Sequence, residues 1–210
     1  MAGGEKARRL PRAVRERQMV DAAVRCFARQ GYQAASMDGI AELAGVSKPL
    51  VYLYLGSKEE LFTTVIRREA GELLAAVAAG VGGPGTPPDE RLWAGLLAFF
   101  TYAAEHPDSW VVLSRQARTQ GEPFAGEAAR MRDEIVGFVA GLLGEAAEGA
   151  GLVARDVDAL AQALVGAAES LAAWANETPG VTAKEAASTL MDFAWSGLGN
   201  LMKSERWSPR

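Results

Sequence analysis

Residues 36–54 of this 210-residue chain read Ser-Met-Asp-Gly-Ile-Ala-Glu-Leu-Ala-Gly-Val-Ser-Lys-Pro-Leu-Val-Tyr-Leu-Tyr, and this stretch decides the fold of the N-terminal part. Its spacing predicts two short helices, Ser36 to about Ala44 and Lys48 to Tyr54, joined by a tight turn at Gly45. Serine is a preferred N-cap, glycine ends helices and proline fits a first turn. The pattern therefore indicates a helix-turn-helix, whose second helix can enter the major groove of DNA.

The helical spacing continues on both sides of this motif. Apolar residues at helical intervals predict an amphipathic helix over 11–30, which Gly31 ends. The capping-box pattern that begins at Ser57 opens a fourth helix reaching about Ala79. The remaining helices are predicted over 91–105, 107–119, 127–148, 153–175 and 183–202. Because no strand-like alternation accompanies them, the predicted fold class is all-α, with about nine helices.

The stretch from Ser36 to Leu61 resembles the signature of TetR-family transcriptional regulators. The shared features are a Ser opening the second helix, Ile-Ala in its middle, Ala-Gly-Val-Ser at the turn, a Tyr in the recognition helix and Lys-Glu-x-Leu opening the fourth helix. The match covers about residues 14–62. It implies an N-terminal three-helix domain that binds double-stranded DNA, followed by a C-terminal helical domain for ligand binding and dimerisation.

The resemblance also implies roles for individual residues of the motif. The phosphate anchors would be Ser36, Ser47, Tyr52 and Lys58. The residues nearest the base edges would be Lys48, Pro49, Leu50 and Tyr54. A lysine there can donate to guanine, and the proline and leucine can contact a thymine methyl. The basic arm from Lys6 to Arg17 is expected to follow the backbone or enter a minor groove, with a solvated tail as the alternative.

Charge divides the chain at the same place. The formal net charge is −4, yet residues 1–58 carry ten basic and five acidic side chains, which leaves −9 for the rest. A basic N-terminal part fits a polyanionic partner, and an incidental basic tail is the alternative. We expect a DNA-binding domain with a basic arm over residues 1–58 and an effector-binding and dimerisation domain over 59–210.

The last two predicted helices carry a pattern for self-association. The stretch from Leu190 to Leu198 is apolar nearly all round, and small residues precede Trp174, which permits close helix approach. A homodimer formed there would place two recognition helices about 34 Å apart and read a palindromic operator. Burial of the last helix inside a monomer is the alternative. The expected interface residues are Gly166, Ser170, Trp174, Leu190, Phe193, Trp195 and Leu198.

Aromatic and Met side chains in the C-terminal helices favour a cavity for a small, largely apolar or aromatic effector of unknown identity. For any single residue, an ordinary core position is the alternative. The effector is expected to favour a dimer whose recognition helices are wrongly spaced and so to release the DNA, with the fourth helix as the lever. The expected effector contacts are Trp93, Phe99, Phe100, Tyr102, Trp110, Phe124, Met131 and Phe138.

Other classes of protein are disfavoured. The acid pairs are adjacent or alternate residues that face different sides of a helix, and no nucleophile–base set accompanies them, so an all-α enzyme is not expected. One Cys and one His cannot form a four-ligand metal site, and we expect no metal or cofactor. No apolar run suits a membrane helix, so we expect a cytoplasmic protein with no membrane partner. The predicted function is a ligand-responsive transcriptional repressor, and a small-molecule-binding helical protein with vestigial DNA binding is the alternative.

Overall fold

The computed structural model describes residues 11–83, 85–146 and 153–202, with the backbone only at 146 and 196–202. Within these ranges the chain forms nine helices and no strand, which confirms the all-α prediction. The helices are α1 (Arg12–Ala34), α2 (Met37–Ala44), α3 (Lys48–Leu55), α4 (Lys58–Gly80), α5 (Pro88–Glu105), α6 (Pro107–Val111, the π-helical turn Val112–Gln116 and Ala117–Thr119), α7 (Phe124–Ala146), α8 (Ala154–Glu177) and α9 (Ala183–Met202). None of the described helices is both long and apolar enough to cross a bilayer.

The tight turn between α2 and α3 forms as the sequence predicts. Gly45 lies in the left-handed region (φ 66°, ψ 32°), and its N–H donates to the carbonyls of Ala41 and Glu42. At the other end of α2 the Ser36 hydroxyl accepts from the Gly39 N–H at 3.0 Å. A Cβ at Gly39 would stand 3.3 Å from that hydroxyl, so the glycine leaves room for the cap. Helix α2 is therefore defined at both ends by its own residues.

The junction between α3 and α4 also depends on a glycine. Gly56 has φ 68° and ψ −139°, a conformation that L-residues rarely adopt. The capping box beside it is complete: the Ser57 N–H donates to Glu60 Oε2 at 2.8 Å, and the Glu60 N–H donates to Ser57 Oγ at 3.1 Å. A Cβ at Gly56 would lie 2.2 Å from that Glu60 oxygen. This turn fixes the orientation of α3 relative to the first turn of α4.

Three apolar cores hold the helices together. The first core joins α1–α4 to α6 and α7, and its Phe62 ring lies 4.8 Å from the rings of both Phe27 and Phe124. The second core joins α5, α6, α8 and α9, and the third joins α7 to α8. The first core contains residues from both sides of position 58, so a packed junction rather than a linker lies there. The functional division at that position stays a prediction.

Candidate functional site

Helix α3 has a buried face and an exposed face. Val51 and Leu55 are buried in the first core. Lys48, Pro49, Tyr52 and Leu53 are exposed on the other side, and Tyr52 and Leu53 are 46% and 75% exposed. We call these four side chains the reading face. A short helix that presents a lysine, a tyrosine hydroxyl and two apolar groups has the chemistry needed in a major groove.

One residue expected near the base edges, Tyr54, lies on the inner side of α3, and its base contact stays a prediction. Tyr54 is half-buried against the first core, and the Arg12 guanidinium lies 5.1 Å above its ring. Leu53, which the sequence-based assignment did not include, is exposed on the outer side. The signal was available, because exposed positions 48, 49, 52 and 53 follow the helical repeat and position 54 does not. Leu50 is half-buried at the edge of the reading face.

Lys48 is held by an exposed ion pair. Its Nζ donates to Asp38 Oδ2 at 2.9 Å, across the turn between α2 and α3. This hydrogen bond raises the pKa of Lys48. Ion pairs this exposed to water are weak, because solvent screens the two charges. Lys48 can therefore exchange Asp38 for an acceptor on DNA at small cost.

The two serines expected at phosphates differ in how they are used. Ser36 and Ser47 are both exposed N-cap residues, and Ser36 caps α2. Ser47 precedes α3 but makes no side-chain cap there. Pro49 at the second helical position has no N–H to offer, and the Leu50 N–H donates to the Ser47 carbonyl at 3.0 Å instead. The Ser47 hydroxyl thus makes no hydrogen bond to the residues that the structure describes.

Lys58 is engaged inside the protein. Its Nζ donates to the carbonyls of Tyr32, Ala35 and Gln33, at 2.9, 3.1 and 3.3 Å, and lies 4.5 Å from the centre of the Tyr32 ring. The ammonium thereby ties the C-terminal end of α1 to the first turn of α4. A phosphate contact would require Nζ to leave at least one carbonyl, so the anchoring role of Lys58 stays a prediction. Residues 6–10 of the basic arm lie outside the described residues.

A cavity of about 340 Å³ lies among α4, α5, α6, α7 and α8. Four of the eight expected effector contacts line it. These residues are Phe99, Trp110, Met131 and Phe138. Most of the other lining residues are aliphatic, and the charged ones are Arg91, Arg118, Arg132, Glu145 and Glu169. Sequence reasoning missed these charges, because their positions read as the solvated faces of amphipathic helices.

The other four expected contacts do not line this cavity. On α5 the side chains of Phe100 and Tyr102 are buried in packing, and the Tyr102 hydroxyl donates to the Glu69 carbonyl of α4 at 3.3 Å. Burial raises the pKa of Tyr102. Trp93 faces a separate groove beside α4. Since successive helical residues are rotated by about 100°, Trp93 and Phe100 are turned away from the wall formed by Phe99 and its neighbours. Tyr102 lies on the same side of α5 as Phe99, but nearer the end of the helix, where it packs against α4.

Phe124 does not line the cavity either, for a different reason. It begins α7 and packs in the first core, with its ring centre 4.8 Å from those of Tyr32 and Phe62. It therefore belongs to the junction between α1–α4 and the helices that follow them. Its sequence neighbourhood gave no sign of this long-range contact.

The last two helices expose part of the expected dimer surface. Trp174 and Phe193 are 53% and 75% exposed, Ser170 is exposed and Gly166 is half-buried. Leu190 is buried in the second core and is not part of this exposed surface. Trp195 is exposed but also reaches the cavity. The Leu198 side chain lies outside the described residues.

Two family models match the chain. The model described as bacterial regulatory proteins of the tetR family matches residues 19–65, and the model described as a tetracyclin repressor-like C-terminal domain matches residues 88–197. The transcriptional activator FasR of Mycolicibacterium smegmatis is 31% identical over 200 residues, which cover 95% of this chain and 90% of FasR.

Solved structures share the whole architecture. A TetR-like transcriptional regulator from Rhodococcus sp. RHA1 superposes with a TM-score of 0.79 at 41% identity, over 91% of this chain and 99% of that one. The regulator FadR of Bacillus subtilis, in complex with stearoyl-CoA, has a TM-score of 0.75 at 19% identity, over 86% of this chain and 98% of FadR. The latter similarity shows the fold alone.

Proposed function

The chain belongs to the TetR family of DNA-binding transcriptional regulators, which are not enzymes, and we propose that it acts as a homodimer that leaves its operator when an apolar effector enters the cavity. The observation that carries the DNA-binding part is the reading face of α3, with Lys48 and Tyr52 beside exposed apolar groups. Lys48 donates to a base edge, Pro49 and Leu53 contact thymine methyls, and Ser36, Ser47 and Tyr52 hold phosphates. A regulator of this kind acts in the cytoplasm, where its DNA lies.

Selection from random duplex DNA tests this proposal. The full-length protein should enrich an inverted repeat whose half-sites are one DNA turn apart. Lys48→Ala should relax the preference at one position of each half-site, at a cost of about 1–3 kcal/mol for the preferred base. Lys184→Ala removes the same charge from α9 and should leave the motif unchanged. No enrichment even at low salt would contradict the proposal and leave the small-molecule-binding alternative.

The homodimer is supported by the exposed aromatic surface of α8 and α9. Trp174 and Phe193 are large apolar side chains that a second copy would cover. Phe193→Glu should therefore yield a monomer in sedimentation experiments. Leu53→Glu is the matched control, because Leu53 is equally exposed but lies on the reading face. This variant should remain dimeric and lose DNA binding, and a Phe193→Glu dimer would contradict the interface.

The effector part rests on the shape and wall of the cavity. Its wall is mainly aliphatic and aromatic, which suits a long apolar group. FadR, which shares the fold, was solved with stearoyl-CoA. We propose an effector with an acyl chain. Palmitoyl-CoA or palmitate should release the protein from its selected operator, and a ligand that tightened the complex would contradict the proposed direction.

The coupling between cavity and DNA runs through shared residues. Ile66 and Ala70 of α4 belong to the first core and also line the cavity, and Met131 of α7 does the same. A ligand that displaces them displaces the helices on which α1–α3 pack. If the effector binds the displaced arrangement of these helices more tightly than the DNA-binding arrangement, it shifts the population away from the DNA-binding form.

Repression is the regulatory direction that we propose, since release by a ligand then produces induction. FasR, which matches nearly the full length of this chain, is named an activator. A reporter driven by the selected operator separates the two: deletion of the regulator should raise expression if it represses. A fall in expression would contradict repression without affecting the DNA-binding proposal.

A further inference from the structure

The charged residues of the cavity wall lie at two separate ends. At one end Arg132 of α7 and Arg118 of α6 meet Glu169 of α8. At the other end Arg91 of α5 meets Glu145 near the end of α7. Arg132 and Glu145 are thirteen positions apart on α7, which corresponds to about 20 Å along the helix. The wall between the two ends is apolar, with Phe99, Phe138 and Leu164 among its residues.

The end at Glu169 is satisfied by its own hydrogen bonds. Arg118 donates to Glu169 at 2.5 Å, and Arg132 donates to Gln162 at 2.6 Å and to Glu169 at 3.4 Å. The only other polar side chain nearby in the wall, Ser114, donates to the Trp110 carbonyl at 2.6 Å. These groups hold α6, α7 and α8 together and gain little from a further anion.

Arg91 differs from the other two arginines. Its Nη1 donates to Glu145, a side chain that is 61% exposed, whereas its own side chain is only 17% exposed. Its Nε is buried without a hydrogen-bond partner, and it is the single buried side-chain nitrogen or oxygen of this kind among the described residues. Buried donors are nearly always paired, because leaving one unpaired is costly. Because Arg91 lines the cavity, a small rotation of its guanidinium would offer this unpaired Nε edge to an acceptor that enters there.

We propose that Arg91 binds the anionic head group of an amphiphilic effector, whose apolar chain then runs along α7 toward Trp110 and Met131. This assignment rests on the proposed effector function. A carboxylate or phosphate oxygen matches the planar edge of a guanidinium, and the low dielectric of an apolar wall strengthens the bond. Since Glu145 uses Nη1, the head group takes the Nε edge without displacing it. The far end of the chain reaches the residues shared with the first core.

Binding of three related probes to the full-length protein tests this assignment. Palmitate carries a carboxylate, palmitoyl-CoA carries phosphates, and hexadecanol has the same chain without charge. We expect at least one anionic probe to bind about ten- to a hundredfold more tightly than hexadecanol. Arg91→Gln should abolish this preference, and Arg91→Lys should retain part of it. The matched control is Arg118→Gln, which removes a charge from the satisfied end and should keep the preference.

The outcomes separate this assignment from the proposed function. Equal affinity for charged and uncharged probes, or loss of the preference in Arg118→Gln instead of Arg91→Gln, would overturn the role of Arg91 while leaving an acyl effector in place. Failure of all three probes to bind would overturn the effector proposal itself. An Arg91-dependent preference supports the assignment with either anion: preference for palmitate identifies a carboxylate head group, and preference for palmitoyl-CoA a phosphate. Thermal unfolding of each variant verifies that it is folded.

Discussion

The first core and the cavity lie along the same helix, α4, but they use apolar side chains in opposite ways. In the first core Phe27, Phe62 and Phe124 are almost completely buried, and their rings pack at 4.8 Å around Phe62. In the cavity Phe99 and Phe138 line about 340 Å³ of space. The close packing of the first core fixes the position of α3. The cavity, in contrast, leaves room for the surrounding helices to shift when a ligand enters. The two regions should therefore answer mutation differently.

The largest difference is expected between two phenylalanine truncations. Phe62→Ala removes the centre of the first core and should lower the free energy of unfolding by about 3–5 kcal/mol. Phe138→Ala only enlarges an existing space, and half-buried Phe138 should cost about 1–2 kcal/mol. Urea unfolding measures both. Equal losses would show that the cavity wall is packed as tightly as the core and would break the comparison.

A smaller loss is expected from the glycine that presents α3 to α4. Gly56→Ala forces a Cβ to within 2.2 Å of the Glu60 carboxylate and into an unfavourable φ, so the capping box must open. We expect a loss of about 1–3 kcal/mol. Gly71→Ala in the middle of α4 is the control, since a Cβ there meets nothing within 4 Å. It should stabilise the protein by about 0.5–1 kcal/mol, because alanine favours helix. If Gly56→Ala left the free energy of unfolding unchanged, the fold would not depend on the conformation of this turn between α3 and α4.

Local signals explain why the DNA-reading helices could be predicted from sequence and the cavity only in part. Ser36, Gly45 and the capping box at Ser57 act within four residues of themselves, so the pattern alone places α2, α3 and the start of α4. The cavity depends on helix rotation: one step around α5 separates Phe99, which lines it, from Phe100, which does not.

Contacts between residues far apart in the chain could not be predicted either, because no local pattern signals them. Phe124 meets Tyr32 across more than ninety positions, and Arg91 meets Glu145 across 54. Nothing local distinguishes such a phenylalanine from a cavity residue, or such an arginine from a solvated one. Lys58 shows the limit even inside the motif, because its carbonyl partners at the end of α1 lie more than twenty residues away.

The link between the two regions should depend on pH. Glu127 of α7 accepts from Arg67 of α4 at 2.7 Å and from Arg130 at 2.7 Å, and these hydrogen bonds lower its pKa to about 2. A lowered pKa stabilises the fold above the ordinary carboxyl range, and this stability is lost as pH falls toward 2. Glu127→Gln should therefore cost about 1–2 kcal/mol at pH 7 and progressively less between about pH 4.5 and 2.

Urea unfolding at a series of pH values measures this dependence. Glu134→Gln serves as the control, because Glu134 pairs with Arg130 in an exposed position. Its effect should be less than about 1 kcal/mol, as for other exposed pairs. A constant difference between wild type and Glu127→Gln from pH 7 to pH 2.5 would show that the carboxylate does not link α4 to α7.

The smallest expected effect separates the two sides of α3. Tyr52→Phe removes one exposed hydroxyl proposed to hold a phosphate, so affinity should fall about two- to fivefold on every operator sequence, without a change in base preference. Tyr54→Phe removes a hydroxyl from the half-buried side, where the ring packs on the first core beneath Arg12, and should leave DNA affinity unchanged. Binding assays on the selected operator and on a single-base variant distinguish these results. If Tyr54→Phe weakened binding and Tyr52→Phe did not, the exposed side of α3 would not be the side that meets DNA, because a phosphate or base contact requires a hydroxyl that reaches the groove.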